Sequence, residues 1–148
     1  MIRVDQSLTV ERDGNGDCWS ACLASLLGIP ITDVPAALCD DKGGSSDQTW
    51  ATQTWLAARG LDVSWRDFTN PECPALPMGV LGETVVLVGP SPRSKFMQHA
   101  VLGAIESAAD RRFTVVHDPH PSRLGILSLS QAWWLVRPVL IAPDMGTP

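Results

Sequence analysis

The side chains of this chain that can act as nucleophile, imidazole base or metal ligand are few, and the informative ones fall in three short stretches. Cys18 stands in "GNGDCWSACLASLLG" (14–28), His99 in "QHAVLGAI" (98–105), and His117, Asp118 and His120 in "VVHDPHP" (115–121). A cysteine attacks a carbonyl carbon as the thiolate, and it needs an imidazole within hydrogen-bond reach, itself oriented by an acceptor. A helix N-terminus favours the thiolate through its unpaired N–H groups and dipole. The same N–H groups can stabilise an oxyanion. Two other chemistries fit these residue types. Cys18, His99, His117 and His120 are zinc-compatible ligands, although no pair has a standard knuckle spacing. Cys18 can also be a small buried helix residue, since cysteine is among the most buried types.

The elements that would position these groups follow from pattern. "DGNGD" is a turn by composition, with Asp17 as N-cap and Cys18 as the first helical residue. Trp19, Cys22, Leu23, Leu26 and Leu27 recur at helical spacing, and Gly28 and Pro30 end the helix. Cys22 lies one turn on from Cys18 among leucines and reads as core. Residues 31–46 read as a helical turn and a loop. A second helix is expected over "SDQTWATQTWLAARG", capped by Ser46 or Asp47, with Trp50, Thr54, Leu56 and Ala57 supplying its inner face and Gly60 closing it. Strands are expected at "LDVSW", "ETVVLVG", "HAVLGAI", "RFTVVHD" and "PVLIAP", and a short one within the first ten residues; "SLSQAWWLV" fits a helix or a strand. Helices first and antiparallel strands second give an α+β domain over residues 1–148. If "HAVLGAI" and "RFTVVHD" pair through the turn "ESAADR", the start of one lies beside the end of the other. His99 and Asp118 become neighbours, and Cys18, His99 and Asp118 form a candidate catalytic triad.

At this point the motifs carry a resemblance. "DCWSACLASLLG", then "HAVL", then "VVHDP", in the order Cys, His, Asp, resembles the papain-like cysteine peptidases and especially the C39-like peptidase group. "VDQ" and "SPR…HAV…HDPHPS" are similar to elements of small bacteriophage and bacterial proteins. The resemblance implies a papain-like fold, in which an N-terminal helix bearing the nucleophile packs on an antiparallel sheet. It implies Cys18 as nucleophile, His99 as general base and acid, and Asp118 as orienter. Papain-like enzymes usually place an oxyanion glutamine a few residues before the cysteine; here Arg12 stands six before Cys18, and the nearest upstream glutamine is Gln6. Gln98 is a poorer candidate, because alternation sends it to the face opposite His99. Trp19 would wall the cleft, His117 and His120 could line it, and Arg93 in "GPSPRS" could hold a substrate carboxylate or phosphate. The expected activity is that of a cysteine-dependent hydrolase acting on a peptide, isopeptide or amide; the same machinery transfers the acyl group if an amine replaces water. A papain-like domain that binds a partner without cleaving it stays open.

Composition narrows the partners. The 148 residues are 45% hydrophobic and 18% charged, a globular balance. The net charge is −5 and the basic residues form no stripe, so nucleic acid is not expected as a main partner. No apolar run reaches the ~18 residues that span a bilayer, and "MIRVDQS" has no apolar signal region. A cytoplasmic, membrane-free protein without cofactor or metal is expected, with its four cysteines as free thiols.

Overall fold

The computed structural model describes residues 2–9, 16–35, 44–70, 72, 76–94 and 96–137, with backbone alone at 44–47. Among the described residues, two helices and five strands make an α+β architecture: α1 (Cys18–Leu27), α2 (Gly44–Ala57), β1 (Asp62–Asp67), β2 (Val85–Pro90), β3 (Gln98–Ser107), β4 (Arg112–His117) and β5 (Gln131–Val136). A 3₁₀ turn at Ile31–Asp33 follows α1. The strands form one sheet in the order β1-β5-β2-β3-β4, and every pairing is antiparallel.

Both faces of the sheet are covered, and strand alternation assigns the side chains. Val86, Ala100, Leu102 and Trp133 point to the face that carries the helices, where they meet Trp19, Cys22, Leu23 and Leu56. Leu87, Val101, Ile105 and Ala132 point to the other face and pack with Phe68, Val80, Ile126 and Leu129 from the loops. The α1 helix packs on β3 and β2, and α2 packs on β1. Residues Trp19 to Ser25 of α1 are all buried, so this helix is enclosed rather than amphipathic. Its interior serines are satisfied: Ser25 Oγ donates to Ala21 O and accepts from Val4 N. Each fully buried leucine of this core contributes on the order of 1.5–3 kcal/mol. Gly28, at φ +68°, ends the helix as expected.

Several sequence expectations change. Residues 2–9 form no strand; the segment lies along the molecule, with Gln6 N donating to Pro119 O. The α2 helix begins at Gly44, so Ser46 and Asp47 lie inside it. Its buried residues are Thr52 and Leu56, with Ala51 and Trp55 half-buried, while Trp50 is 69% exposed. Thr52 is buried because its hydroxyl accepts the Trp19 indole N–H at 3.1 Å, a polar anchor that apolar periodicity does not register. "SLSQAWWLV" becomes β5, between β1 and β2. The expected strand "PVLIAP" falls on residues 138–143, outside the described residues, as do Cys39 and Cys73. No described helix is long and apolar enough to cross a membrane.

Candidate functional site

Cys18 is the first residue of α1, as expected, and it is half-exposed; the expected "DGNGD" turn falls mostly on residues outside the described ones, which resume at Gly16. Asp17 occupies the cap position, yet its side chain makes no capping bond. Its carboxylate turns instead to the N-terminal segment, accepting from Ser7 Oγ and from Leu8 N at 2.8 Å. The carbonyl of Leu8 in turn accepts from Asp17 N and from Gln6 Nε2. The start of the nucleophile-bearing helix and the segment that carries Gln6 are thereby tied together. Gln6 Oε1 is buried without a hydrogen-bond partner among the described residues.

The hairpin logic that paired His99 with Asp118 holds in the geometry. β3 and β4 run antiparallel, with Leu102 opposite His117. His99 Nε2 lies 2.7 Å from Asp118 Oδ1, and both side chains are nearly inaccessible. Asp118 is held from three further sides. His120 N donates to Oδ1 at 2.9 Å, Gly125 N donates to Oδ2 at 2.7 Å, and Arg123 donates to its backbone carbonyl. Gly125 can present its N–H there because it sits at φ +75°, where a side chain is strained. Burial pushes the Asp118 carboxyl up, but the His99 hydrogen bond, the two backbone N–H groups and the His99 charge outweigh it and leave its pKa below the ordinary carboxylate range. A carboxylate fixed in this way orients the imidazole, leaving Nδ1 as the ring nitrogen for other partners.

Cys18 and His99 together border two adjoining clefts of about 600 Å³ each. On one side the walls are Trp19, Val88, Gln131 and Trp133, with Gln48 and Thr49 of α2 at the rim. Trp133 is wedged in place: it stacks on Trp65 at 4.7 Å and meets Trp19 edge-on at 5.1 Å. On the other side the walls are Gln6, Ser91, Arg93, Met97 and His120. Gly89 of β2, opposite His99 in the sheet, is required by close approach. A Cβ there would stand 1.9 Å from Ser128 O, so only glycine lets the 126–128 loop lie against the strand.

Of the residues singled out in the sequence, Cys18, His99, Gln6, Trp19, Arg93 and His120 all line one or both clefts, and Asp118 bonds His99 from behind. His117 does not line them. Alternation along β4 turns it to the N-terminal segment, where its Nε2 lies 3.2 Å from both Val4 O and Asp5 Oδ1. Gln98 lies on the sheet face opposite His99, as alternation requires. The alternation that separates it from His99 sets it with Ala100 and Leu102 on the helix-bearing face, so it borders Cys18 in both clefts. Gln131 and Trp133 were missed, because the strand that carries them was ambiguous. Gly125 and Arg123 were also missed: a glycine or arginine in a loop carries no local signal that its partner is an aspartate five or seven residues away. Among the described residues no group of three or more His, Cys, Asp or Glu side chains is arranged to hold a metal ion. Cys22, fully buried one helical turn on from Cys18, has its thiol pushed well up, above all by burial, which suits an inert core residue.

Comparison with family models, with curated proteins and with solved structures returned no match.

Proposed function

We propose that the chain is a papain-like cysteine hydrolase that cleaves an amide, peptide or isopeptide bond through an acyl-enzyme. The observation that carries this reading is the 2.7 Å His99–Asp118 bond, set beside a cysteine that opens a helix and borders the same two clefts as the histidine. With Nε2–H donated to Asp118, Nδ1 is the atom that exchanges a proton with Cys18. The thiolate sulfur attacks the carbonyl carbon and a C–S bond forms. The oxyanion that results is met by the N-terminal end of α1, at which Cys18 stands. Collapse breaks the C–N bond, and the imidazolium gives its proton to the departing amine. Water then attacks the thioester, His99 takes the water proton, the C–S bond breaks, and the carboxylic acid leaves. Gln6 is the side-chain candidate for the remaining oxyanion donor, since it borders the cleft with Cys18 and is held there by Leu8 and Pro119.

The test is the order in which the thiols of the folded chain react with iodoacetamide near neutral pH, read by mass spectrometry. Cys18 is expected to be alkylated far ahead of Cys22, Cys39 and Cys73. Alkylation of Cys18 at or below the rate of the other thiols contradicts the reading.

A further inference from the structure

Residues 5–8 link the two halves of the candidate triad, and they are bonded at both ends. At one end the segment is tied to the start of α1, next to Cys18. The buried Asp17 carboxylate accepts from Leu8 N at 2.8 Å and from Ser7 Oγ, and Asp17 N donates to Leu8 O at 3.3 Å. At the other end the segment is tied to the loop that follows Asp118. Gln6 N donates to Pro119 O at 3.1 Å. Arg123 grips the Asp5 carboxylate with both prongs, Nη1 to Oδ1 at 2.7 Å and Nη2 to Oδ2 at 2.9 Å. Arg123 Nη1 also donates to the backbone carbonyl of Asp118. One side chain thus holds both the N-terminal segment and the residue that orients His99. Arg123 takes a left-handed backbone, φ +54°, uncommon for any residue but glycine, and its N–H closes on His120 O at 3.0 Å. The Asp5–Arg123 pair is about half-exposed, so its contribution to stability is small. What a two-pronged fork adds is geometry, since it fixes both the position and the plane of the carboxylate it holds. The residue held between the two ties is Gln6, which borders the cleft with Cys18. One hydrogen of its side-chain amide goes to Leu8 O at 2.6 Å, and a primary amide carries two.

Resting on the reading of Cys18 as nucleophile and Gln6 as its oxyanion donor, we propose that Asp5 and Arg123 are positioning residues that set Gln6 in register with the nucleophile. Gln6 lies outside every helix and strand, so no ladder of backbone bonds places it. Its placement relative to Cys18 comes from Asp17, and its placement relative to Asp118 and His99 comes from Arg123. The tie acts where a carbonyl oxygen gains charge. Loosening it from the Asp5 side slows acyl transfer and leaves displacement at a saturated carbon, which needs no oxyanion donor, at its former rate.

Two reagents separate those reactions on the full chain. Iodoacetamide is attacked at its methylene carbon: a C–S bond forms, the C–I bond breaks and iodide leaves, with no oxyanion on the path. p-Nitrophenyl acetate is attacked at its carbonyl carbon: a C–S bond and an oxyanion form, the C–O bond breaks, p-nitrophenolate leaves and Cys18 is acetylated. The ratio of acetylation rate to alkylation rate at Cys18, read by mass spectrometry, is measured for the wild type, Asp5→Ala, Gln6→Ala and the double variant. The ratio cancels any general change in thiol reactivity. It is expected to fall about 10²–10³-fold in Gln6→Ala, as for the loss of one oxyanion donor, and about tenfold in Asp5→Ala, as for a donor displaced rather than lost. In the double variant it should match Gln6→Ala, because Asp5 then has no donor to position. An unchanged ratio in Asp5→Ala, or a further tenfold fall in the double variant, overturns the positioning role alone. An unchanged ratio in Gln6→Ala overturns the oxyanion assignment and the positioning role with it, and leaves Cys18 as nucleophile. A Cys18 inert to both reagents overturns the nucleophile and everything that rests on it.

Discussion

The two clefts on either side of Cys18 share a nucleophile and a histidine but are built in opposite ways. The first cleft, which has no charged side chain among the described residues, is walled by the hydrophobic core itself: Trp19 and Trp133 belong to the packing between helix and sheet, and Trp133 is fixed by an aromatic contact on each side. The second cleft, which Arg93 borders, is walled by loops, and polar bonds from Ser91, Ser122 and His120 hold it together. Damage to the first should therefore appear as lost stability, and damage to the second as lost turnover in a chain that still folds.

The largest expected effect falls on the element both clefts share. Cys18→Ala should reduce the release of new amino termini from a peptide library by about 10⁴-fold or more, the scale on which nucleophile deletions act. Its circular dichroism should be unchanged, because the side chain is half-exposed and at the end of α1. Asp118→Asn keeps the shape but removes the charge that orients His99. Turnover in the same assay should fall by about 10²–10⁴-fold, and thermal unfolding should show a loss of about 1–3 kcal/mol as buried donors lose their acceptor.

Next come the substitutions that set the clefts against each other. Trp133→Ala in the wall of the first cleft should cost about 3–5 kcal/mol in denaturant unfolding, since it empties a packed aromatic site. Ser122→Ala, which removes the hydroxyl bonded to Arg93 and His120 of the second cleft, should cost under about 1 kcal/mol, because Ser122 is exposed. Equal stability losses in the two variants would erase the distinction between the clefts. The smallest effect is on acid stability. The Asp118 pKa is lower folded than unfolded, so its stabilisation is fully present above about pH 4 and is lost as pH falls through the folded value below that. Asp118→Asn should flatten the fall of melting temperature below about pH 4.

Much of this site was legible because it depends on local rules. A cap-type residue, Asp17, before an apolar helical pattern places Cys18 at a helix start, and a short turn between two apolar strands brings position 99 beside position 118. What was not legible depends on partners distant in sequence. Trp50 was expected inside and Thr52 was not, because the burial of Thr52 is decided by the Trp19 indole across the core. The β5 strand was ambiguous because a strand covered on both faces has a nearly continuous apolar run, "AWWLV", without alternation. The N-terminal segment has strand-like composition but bonds to Pro119, Ser25 and Asp17 rather than to a strand edge. Alternation correctly sends Gln98 to the face opposite His99, but it does not register that both faces open onto the clefts at this end of β3, which Gln98, His99 and Cys18 all border.

The central claim is that His99, held by Asp118, governs the reactivity of Cys18. The most direct measurement is the pH profile of the Cys18 alkylation rate with iodoacetamide, in the wild type and in His99→Ala. Wild-type Cys18 is expected to stay reactive well below the range of an ordinary thiol, while the His99→Ala profile rises toward about pH 8.5, as for a free cysteine. Superimposable profiles, both following an ordinary thiol, would contradict it.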